Sequence, residues 1–357
     1  MRRFLLTLLA LIAIAAAIGV VYRRPLTLLL VERTVARNLG SSLLDELPDG
    51  LHVALCGAGS PLPDPDRSGP CLAVIAGRQL YVVDSGSGSS RSLARMRLPQ
   101  GRVAAVFLTH FHSDHIDGLG ELMLQRWVNG THPSPMPVYG PAGVEPVVEG
   151  FNRAYAQDSL YRVAHHGEGV APHAGAGGTA RPFATPADGE GLVVLEADGL
   201  RVTAFRADHR PVEPAVGYRF DYGGRSLLVS GDTRNSANLG RFAEGVDVLV
   251  HEALSPELVA LIGHGAAKAG RANIEKIAAD IVDYHTTPME AAAIARDASA
   301  GYLLYYHIVP PLPLAPLEEV FLEGVDEIYE GPVAIGRDGT FLSLPADSDA
   351  VVTKNLL

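Results

Sequence analysis

The sequence predicts an α/β domain in which strands and helices form separate layers. Short apolar runs of β type recur along the chain, Gly and Pro interrupt them, and helical stretches with apolar faces separate the later ones. The 357 residues are 47% hydrophobic, which is enough to bury a large core. Charged residues make up only 19%, a composition that argues against disorder.

An uncharged apolar stretch at 4–22 opens the chain, with arginine pairs on both sides of it. Its length suits a helix that crosses a bilayer. A cleaved secretory signal is an alternative, because the small residues at 13–17 offer Ala-x-Ala patterns, and a buried soluble helix is another. Since the stretch continues past these alanines, we expect an uncleaved membrane anchor at 1–24. The catalytic domain is then expected to be exported, in a periplasmic or extracellular location.

Three further segments follow the predicted anchor. Residues 25–50 are predicted to be a mostly helical connector, residues 51–345 a hydrolase domain, and residues 346–357 a frayed tail. Strands are predicted at 51–55, 71–75, 79–83, 103–108, 201–206, 216–220, 226–230, 246–250, 303–306 and 334–342. Helices are predicted at 257–262, 272–282 and 289–298.

The densest group of metal-binding side chains follows the strand predicted at 103–108. His110 and His112 alternate, so an extended backbone directs both imidazoles to one side, where they can bind one ion. Asp114 and His115 lie on the following turn and can reach a second ion. Imidazole together with carboxylate fits zinc, and also manganese or iron. The sequence therefore predicts a metal site at this strand end.

Two ions need about seven or eight ligands, so further His and Asp residues are expected after other strands. His209 follows the strand at 201–206, Asp232 lies in Ser-Gly-Asp-Thr after 226–230, and His307 follows 303–306. Each stands where a strand runs out into a loop, the usual place for functional residues.

Together with the motif Leu-Cys-Gly-Ala-Gly-Ser-Pro-Leu-Pro at 55–63, these features resemble the metallo-β-lactamase superfamily over residues 51–343. The resemblance is to its ribonuclease Z and arylsulfatase branch. It implies a four-layer αββα sandwich that holds two divalent ions, zinc being expected first. The implied ligands of the first ion are His110, His112, His209 and Asp232. The implied ligands of the second ion are Asp114, His115, His307 and the shared Asp232.

The resemblance also implies roles in catalysis and support. Asp114 would orient the attacking water or accept its proton, and His285 would stand near the leaving group. An imidazole suits that place because it exchanges a proton near neutral pH. Asp84 would orient a ligand imidazole. His251 and Glu252 match a His-Glu pair, for which support of the pocket and core packing both stay open.

The expected substrate follows from a difference within this family. Bacterial ribonuclease Z carries a Gly/Pro-rich arm that grips tRNA, between its Gly-Tyr strand and its Ser-Gly-Asp-Thr motif. Here a short hairpin turn at 221–224 takes that place, and the net charge is −11. We therefore expect a binuclear hydrolase that cleaves a small sulfate ester or phosphodiester with a hydroxide generated at the metals. Nucleic acid is not expected as a partner.

Several features stay open at this point. The alternatives to a small-ester hydrolase are a ribonuclease Z-like tRNA 3′-end endonuclease and a membrane-tethered metal-binding protein without activity. A homo-oligomer is compatible with the sequence. Cys56 and Cys71 are either a disulfide or two separately buried side chains. Two groups of side chains are candidates for contacts with the substrate: the histidines of a Gly-rich segment predicted to be a lid, His165, His166 and His173, and the arginines Arg206, Arg210 and Arg219.

Overall fold

The computed structural model describes residues 2–357, and the side chains at positions 11, 13–18 and 38 lie outside this description. The chain divides into two units, one up to Glu46 and one from Leu47 onward. The first unit contains the 39-residue helix α1 (Arg2–Gly40) and the short helix α2 (Leu43–Glu46).

The predicted membrane anchor or signal at 1–24 is corrected by this structure. Within the part of the chain that is described, none of the helices combines the length and apolar character that a bilayer crossing requires. Helix α1 does not end with the apolar stretch but continues through Pro25 and the charged positions Glu32 and Arg33. The structure thus gives no support to the predicted membrane partner and exported catalytic domain, and positions 11 and 13–18 of the predicted anchor lie outside the described side chains.

Two β-sheets form the centre of the second unit, as far as the chain is described. The first sheet has eight strands, in the spatial order β15 (Val352–Asn355), β14 (Thr340–Pro345), β1 (Gly50–Gly57), β2 (Cys71–Ala76), β3 (Gln79–Val83), β4 (Val103–Phe107), β5 (Met136–Pro141) and β6 (Gly178–Phe183). The second has seven, in the order β13 (Val333–Ile335), β12 (Leu303–Val309), β11 (Val248–Leu254), β10 (Arg225–Val229), β9 (Val216–Tyr222), β8 (Leu200–Arg206) and β7 (Gly191–Ala197).

The helices of this unit lie outside the two sheets. They are α3 (Ser89–Arg95), α4 (Ser113–Ile116), α5 (Leu119–Gly130), α6 (Val144–His166), α7 (Ala237–Ala243), α8 (Pro256–Lys268), α9 (Ala272–Asp280), α10 (Pro288–Asp297), α11 (Ala315–Phe321) and α12 (Val325–Ile328). Helices α5 and α6 contact the first sheet, and α7 and α10 contact the second. The predicted four-layer αββα sandwich is confirmed.

The main core lies between the sheets. Leu55 and Phe107 of the first sheet pack in one cluster with Phe220 and Val250 of the second. A separate cluster covers the outer face of the second sheet, where Leu249 packs with alanines of α10 and with other helical side chains. Burial on both faces explains why β11 and β12 are mostly apolar, as parallel strands between two layers usually are.

Several elements differ from their predictions. The tail contains β15, which pairs antiparallel with β14, and the strand predicted at 334–342 is divided into β13 and β14. Strands β5, β6 and β7 were not predicted, and the last two are only partly buried, so they lack a strong apolar pattern. His165 and His166 end helix α6 instead of lying in a Gly-rich lid. The domain boundaries remain predictions.

Cys56 and Cys71 form a disulfide between the adjacent strands β1 and β2, with their Cα atoms 5.0 Å apart. The bond closes a loop with a sequence separation of 15, which restricts the unfolded chain. Replacing both cysteines by alanine should therefore lower the free energy of unfolding by about 3 kcal/mol. Equilibrium unfolding in urea measures this change.

A reductant provides the control for this experiment. Reduced wild-type protein should unfold like the double variant, and the variant itself should not respond to the reductant. Equal unfolding free energies for the oxidised wild type and the variant would contradict the prediction.

Candidate metal centre

Strand ends from both sheets bring the predicted ligands together. Strand β4 of the first sheet leads directly into the motif that carries His110 and His112, and α4 then carries Asp114 and His115. In the second sheet, His307 lies within β12 and Asp232 follows β10. Because β10, β11 and β12 are parallel, their carboxyl ends meet at one edge of the sheet.

A glycine makes the turn that presents Asp232. Gly231 has φ +62°, a left-handed conformation that side chains rarely adopt. A Cβ atom at this position would lie 2.7 Å from the carbonyl oxygen of Val216, so the backbone leaves no space for one. The Gly in Ser-Gly-Asp-Thr is therefore required by the geometry of the site.

The donor atoms form three overlapping groups, in each of which the atoms lie within 4.8 Å of one another. The first group is His110, His112, His209 and Asp232. The second is Asp114, His115 and His307, and the third is Asp232, His285 and His307. All seven residues predicted as ligands are members of these groups, and so is His285.

Asp232 lies at the centre of these groups. Its Oδ2 atom is 3.3 Å from Nε2 of His307 and 3.4 Å from Nε2 of His115. The Nε2 atoms of His110 and His209 are each 3.8 Å from the same oxygen. One carboxylate oxygen thus faces four imidazoles, the arrangement expected of a group shared between two ions.

The opposite ring nitrogens are held by other groups. Nδ1 of His115 lies 2.8 Å from Oδ2 of Asp84, and the hydroxyl of Thr109 donates to the same carboxylate. Nδ1 of His209 donates to the carbonyl oxygen of Tyr284 at 3.0 Å. Such contacts orient the imidazoles so that their Nε2 atoms point into the cluster. Asp84 is thus located as the resemblance implies.

The unpaired polar atoms of the cluster fit a divalent cation. Nε2 of His110, His115 and His209 and Oδ1 of Asp232 are buried without a hydrogen-bond partner. Burying polar atoms in this way is costly unless a bound group compensates. Imidazole nitrogens and carboxylate oxygens are the donors that zinc and related ions prefer. The donor set is therefore that of a divalent-metal site.

The electrostatics support the same conclusion. Burial lowers the pKa of His209 to about 4, so its imidazole is neutral and able to bind a metal. Burial alone would raise the pKa of Asp232, but His307 and His115 outweigh it and hold this pKa well below its ordinary value. Burial would lower the pKa of His115, yet Asp232, Asp84 and Asp114 together raise it well above the usual range. The surrounding carboxylates thus favour a positive charge at this point.

Glu252 and His285 lie beside the donor groups. Oε1 of the buried Glu252 is 3.2 Å from Nδ1 of His285 and accepts a hydrogen bond from the backbone N–H of Thr286 at 2.9 Å. Helix α10 begins two residues later with a capping box between Thr287 and Glu290, which defines the start of the helix. His251 does not lie beside the donor groups. Its ring is fully buried, and its Nδ1 atom contacts the backbone carbonyl oxygen of Glu252.

Other predicted residues lie apart from the cluster. Among the described residues, His165, His166 and His173 belong to none of the donor groups. The guanidinium of Arg219 donates hydrogen bonds to the carboxylate of Asp221 and to the carbonyl oxygens of Phe242 and Glu244. Arg210 pairs with Asp208 next to His209, and its side chain is 64% exposed.

Three residues at the centre were not predicted from the sequence. Thr233 and Thr286 join the two loops, since the Thr286 hydroxyl donates to the carbonyl oxygen of Thr233 at 2.6 Å. Their positions inside the motifs Ser-Gly-Asp-Thr and His-Thr-Thr-Pro could have indicated that they lie at the site. The ring of Tyr284 packs against His209, and its sequence position carried no signal of this contact.

Comparisons with known proteins are consistent with this geometry. Residues 81–308 match the family model described as a beta-lactamase superfamily domain. A protein named Ribonuclease Z from Mycobacterium bovis (strain BCG / Pasteur 1173P2) is 35% identical over 290 residues, covering 81% of this chain and 96% of its own length. A Ribonuclease Z from Mycobacterium avium (strain 104) is 36% identical over the same coverage.

Solved structures share the fold. The metallo-beta-lactamase fold protein YhfI from Bacillus subtilis superposes with a TM-score of 0.59 at 20% identity, covering 83% of this chain and 100% of that one. The short form of human tRNase Z gives a TM-score of 0.58 at 20% identity, covering 82% of this chain and 99% of its own.

Asp84 offers a test of the metal centre without changing a donor group. Asp84→Asn removes the negative charge beside Nδ1 of His115, so the ring loses orientation and basicity. We expect the affinity for zinc to fall about 10- to 100-fold. Competition with a chromogenic chelator measures the affinity, and elemental analysis measures the bound metal.

The matched control is Asp297→Asn, at the exposed end of α10, which should leave zinc affinity unchanged. Unaltered affinity in Asp84→Asn would show that this carboxylate does not support the site.

Proposed function

The chain belongs to the beta-lactamase superfamily, and within it to the ribonuclease Z family, and we therefore propose that it cleaves precursor tRNA as a metal-dependent endonuclease at the 3′ end. It is a metal-dependent hydrolase. The expectation of a small sulfate or phosphate ester as substrate, without nucleic acid as a partner, was wrong. It is overturned by relatives named Ribonuclease Z that align with 81% of this chain.

The observation that carries the proposal is the cluster of donor atoms around Asp232. We propose that His110, His112, His209 and Asp232 bind one zinc ion. Asp114, His115, His307 and the shared Asp232 bind a second. Manganese or iron are the alternatives to zinc. Ions in such a site make water a nucleophile at neutral pH and offset the negative charge of a phosphoryl group.

The chain's own residues then handle the protons. The carboxylate of Asp114 lies in the second donor group. From there it would orient the attacking water and take its proton. His285 would protonate the oxygen that leaves phosphorus. Burial acts to lower the pKa of His285, but Glu252 and Asp232 together outweigh it, so this pKa is raised above its ordinary value. A raised pKa keeps this imidazole protonated at higher pH, as a proton donor requires.

The Gly/Pro-rich arm of bacterial ribonuclease Z is replaced here by a short hairpin, and this difference does not alter the proposed cleavage at the metal centre. In the described stretch between β9 and β10, Gly223 and Gly224 alone make the turn, so the predicted short hairpin is present. An arm would supply contacts with phosphates far from the reacting bond, whereas the reaction itself takes place at the metal centre. Phosphate contacts close to the site are available from Arg210, which directly follows His209.

His285→Ala tests the proton donor. We expect kcat on precursor tRNA to fall about 10²- to 10⁴-fold, because the leaving oxygen loses its proton source, while bound metal stays at the wild-type level. Cleavage is followed on gels with end-labelled RNA, and metal content by elemental analysis. The matched control is His264→Ala on an exposed position of α8, which should cleave normally.

The substrate itself is tested with the wild-type protein loaded with zinc or manganese. Cleavage of precursor tRNA next to its 3′ acceptor end supports the proposal. An enzyme that hydrolyses chromogenic phosphodiesters but leaves precursor tRNA intact would refute it.

Arg210→Ala tests the phosphate contact through the salt dependence of the reaction. A lost phosphate contact should weaken kcat/KM and reduce the slope of its logarithm against the logarithm of salt concentration by about 1. The control is Arg296→Ala in α10, which is also exposed and ion-paired with a neighbouring aspartate. Identical salt slopes for Arg210→Ala and wild type would exclude this contact.

A further inference from the structure

The ring of Tyr284 lies at the edge of the donor cluster and stays partly exposed. Its centroid is 5.0 Å from the ring of His209 and 5.0 Å from the ring of His285. Both distances are those of direct contact between rings. Tyr284 therefore borders one residue proposed to bind metal and one proposed to donate the leaving group's proton.

The backbone of this segment is held from both sides. Tyr284 ends a short 3₁₀ turn (Ile281–Tyr284), and its carbonyl oxygen accepts from His209. Two residues later, the N–H of Thr286 donates to Glu252. Any residue at position 284 could provide the carbonyl oxygen, so this hydrogen bond does not account for an aromatic side chain. What the tyrosine adds is a flat ring in a defined place beside the reaction site.

We propose that Tyr284 forms a stacking subsite for the nucleobase next to the phosphodiester that is cleaved. This inference rests on the proposed function. Aromatic side chains bind unpaired bases by stacking, and they accept any base because every base has a π face. A base is joined to its phosphate through one ribose, so a phosphate at the donor cluster brings its base close to a ring that borders the cluster.

Stacking also suits the charge of this chain. The net charge is −11 and a short hairpin joins β9 to β10, so the protein as a whole does not attract a polyanionic substrate. Base stacking does not depend on net charge. A subsite at Tyr284 would therefore add affinity and positioning that the overall charge of the protein does not supply.

The experiment combines a change in the protein with a change in the RNA. Precursor tRNA is prepared with an abasic ribose on one side or the other of the cleaved bond, and is cleaved by wild type and by Tyr284→Leu. With wild type, removal of the stacked base should lower kcat/KM roughly 5- to 100-fold. On intact RNA, kcat/KM of Tyr284→Leu should be lower by a similar factor. On the abasic RNA it should fall little further, because the two changes remove the same contact.

Two variants and a metal analysis separate stacking from support of His209. Tyr284→Phe and Tyr284→Trp should retain kcat/KM within about threefold, because they keep a π face. Tyr161→Leu, at an exposed position of α6, is the matched control and should behave as wild type. Two results would overturn the proposal and show that the ring serves only to support His209. One is a loss of bound metal in Tyr284→Leu. The other is a decrease in kcat/KM for Tyr284→Leu on abasic RNA that equals the product of the two separate decreases.

A second pair of substrates keeps this test independent of the RNA proposal. Thymidine 5′-(p-nitrophenyl phosphate) and methyl p-nitrophenyl phosphate share a leaving group and differ in the nucleoside. The ratio of their kcat/KM values should fall at least fivefold in Tyr284→Leu and be retained in Tyr284→Phe. An unchanged ratio would overturn the stacking subsite, whereas failure to cleave precursor tRNA would overturn only the proposed function.

Discussion

The structure of the site depends on one buried carboxylate, that of Asp232. Its Oδ2 atom faces imidazoles supplied by both sheets, since His110 and His115 follow β4 whereas His307 lies in β12. An ionised carboxylate buried in this way is costly unless positive charge lies close to it. The carboxylate and the imidazoles together therefore fit a cation, and a cation bound there would join the two halves of the sandwich at the edge where catalysis would take place.

The sandwich explains how distant parts of the chain reach this point. Parallel pairing of β10, β11 and β12 brings Asp232, which follows β10, to the same region as Glu252 in β11 and His307 in β12. The two positive φ angles at Asp84 and His307 show that the backbone adopts unfavourable conformations here, +54° and +45° respectively. The core between the sheets must compensate for this cost, and its large buried rings and aliphatic side chains provide the means.

The structure brings the predicted donors together, and the sequence could indicate them because each belongs to a local pattern at a strand end. His110, His112, Asp114 and His115 lie within six positions, and Asp232 is identified by its short motif. Contacts made by the backbone leave no such pattern, so the hydrogen bond from His209 to the Tyr284 carbonyl oxygen could not be predicted. Strands β6 and β7 escaped prediction for a related reason, since partial exposure removes the apolar periodicity. The unbroken course of the N-terminal helix past residue 24 was not predicted because an apolar stretch does not show where its helix ends.

The substrate was misjudged because net charge is a property of the whole surface, whereas a phosphodiester responds to the charge close to it. A chain with a net charge of −11 repels polyanions at long range, but salt screens that repulsion beyond about 10 Å. Divalent ions bound at the donor cluster would set the local potential there, and binding energy at the cleaved bond matters more than attraction from afar. An acidic protein can therefore act on RNA when the contacts next to the scissile phosphate provide the specificity. If the protein acts on RNA as proposed, a short β9–β10 hairpin would limit how far along the RNA it reaches without changing the bond that is cleaved.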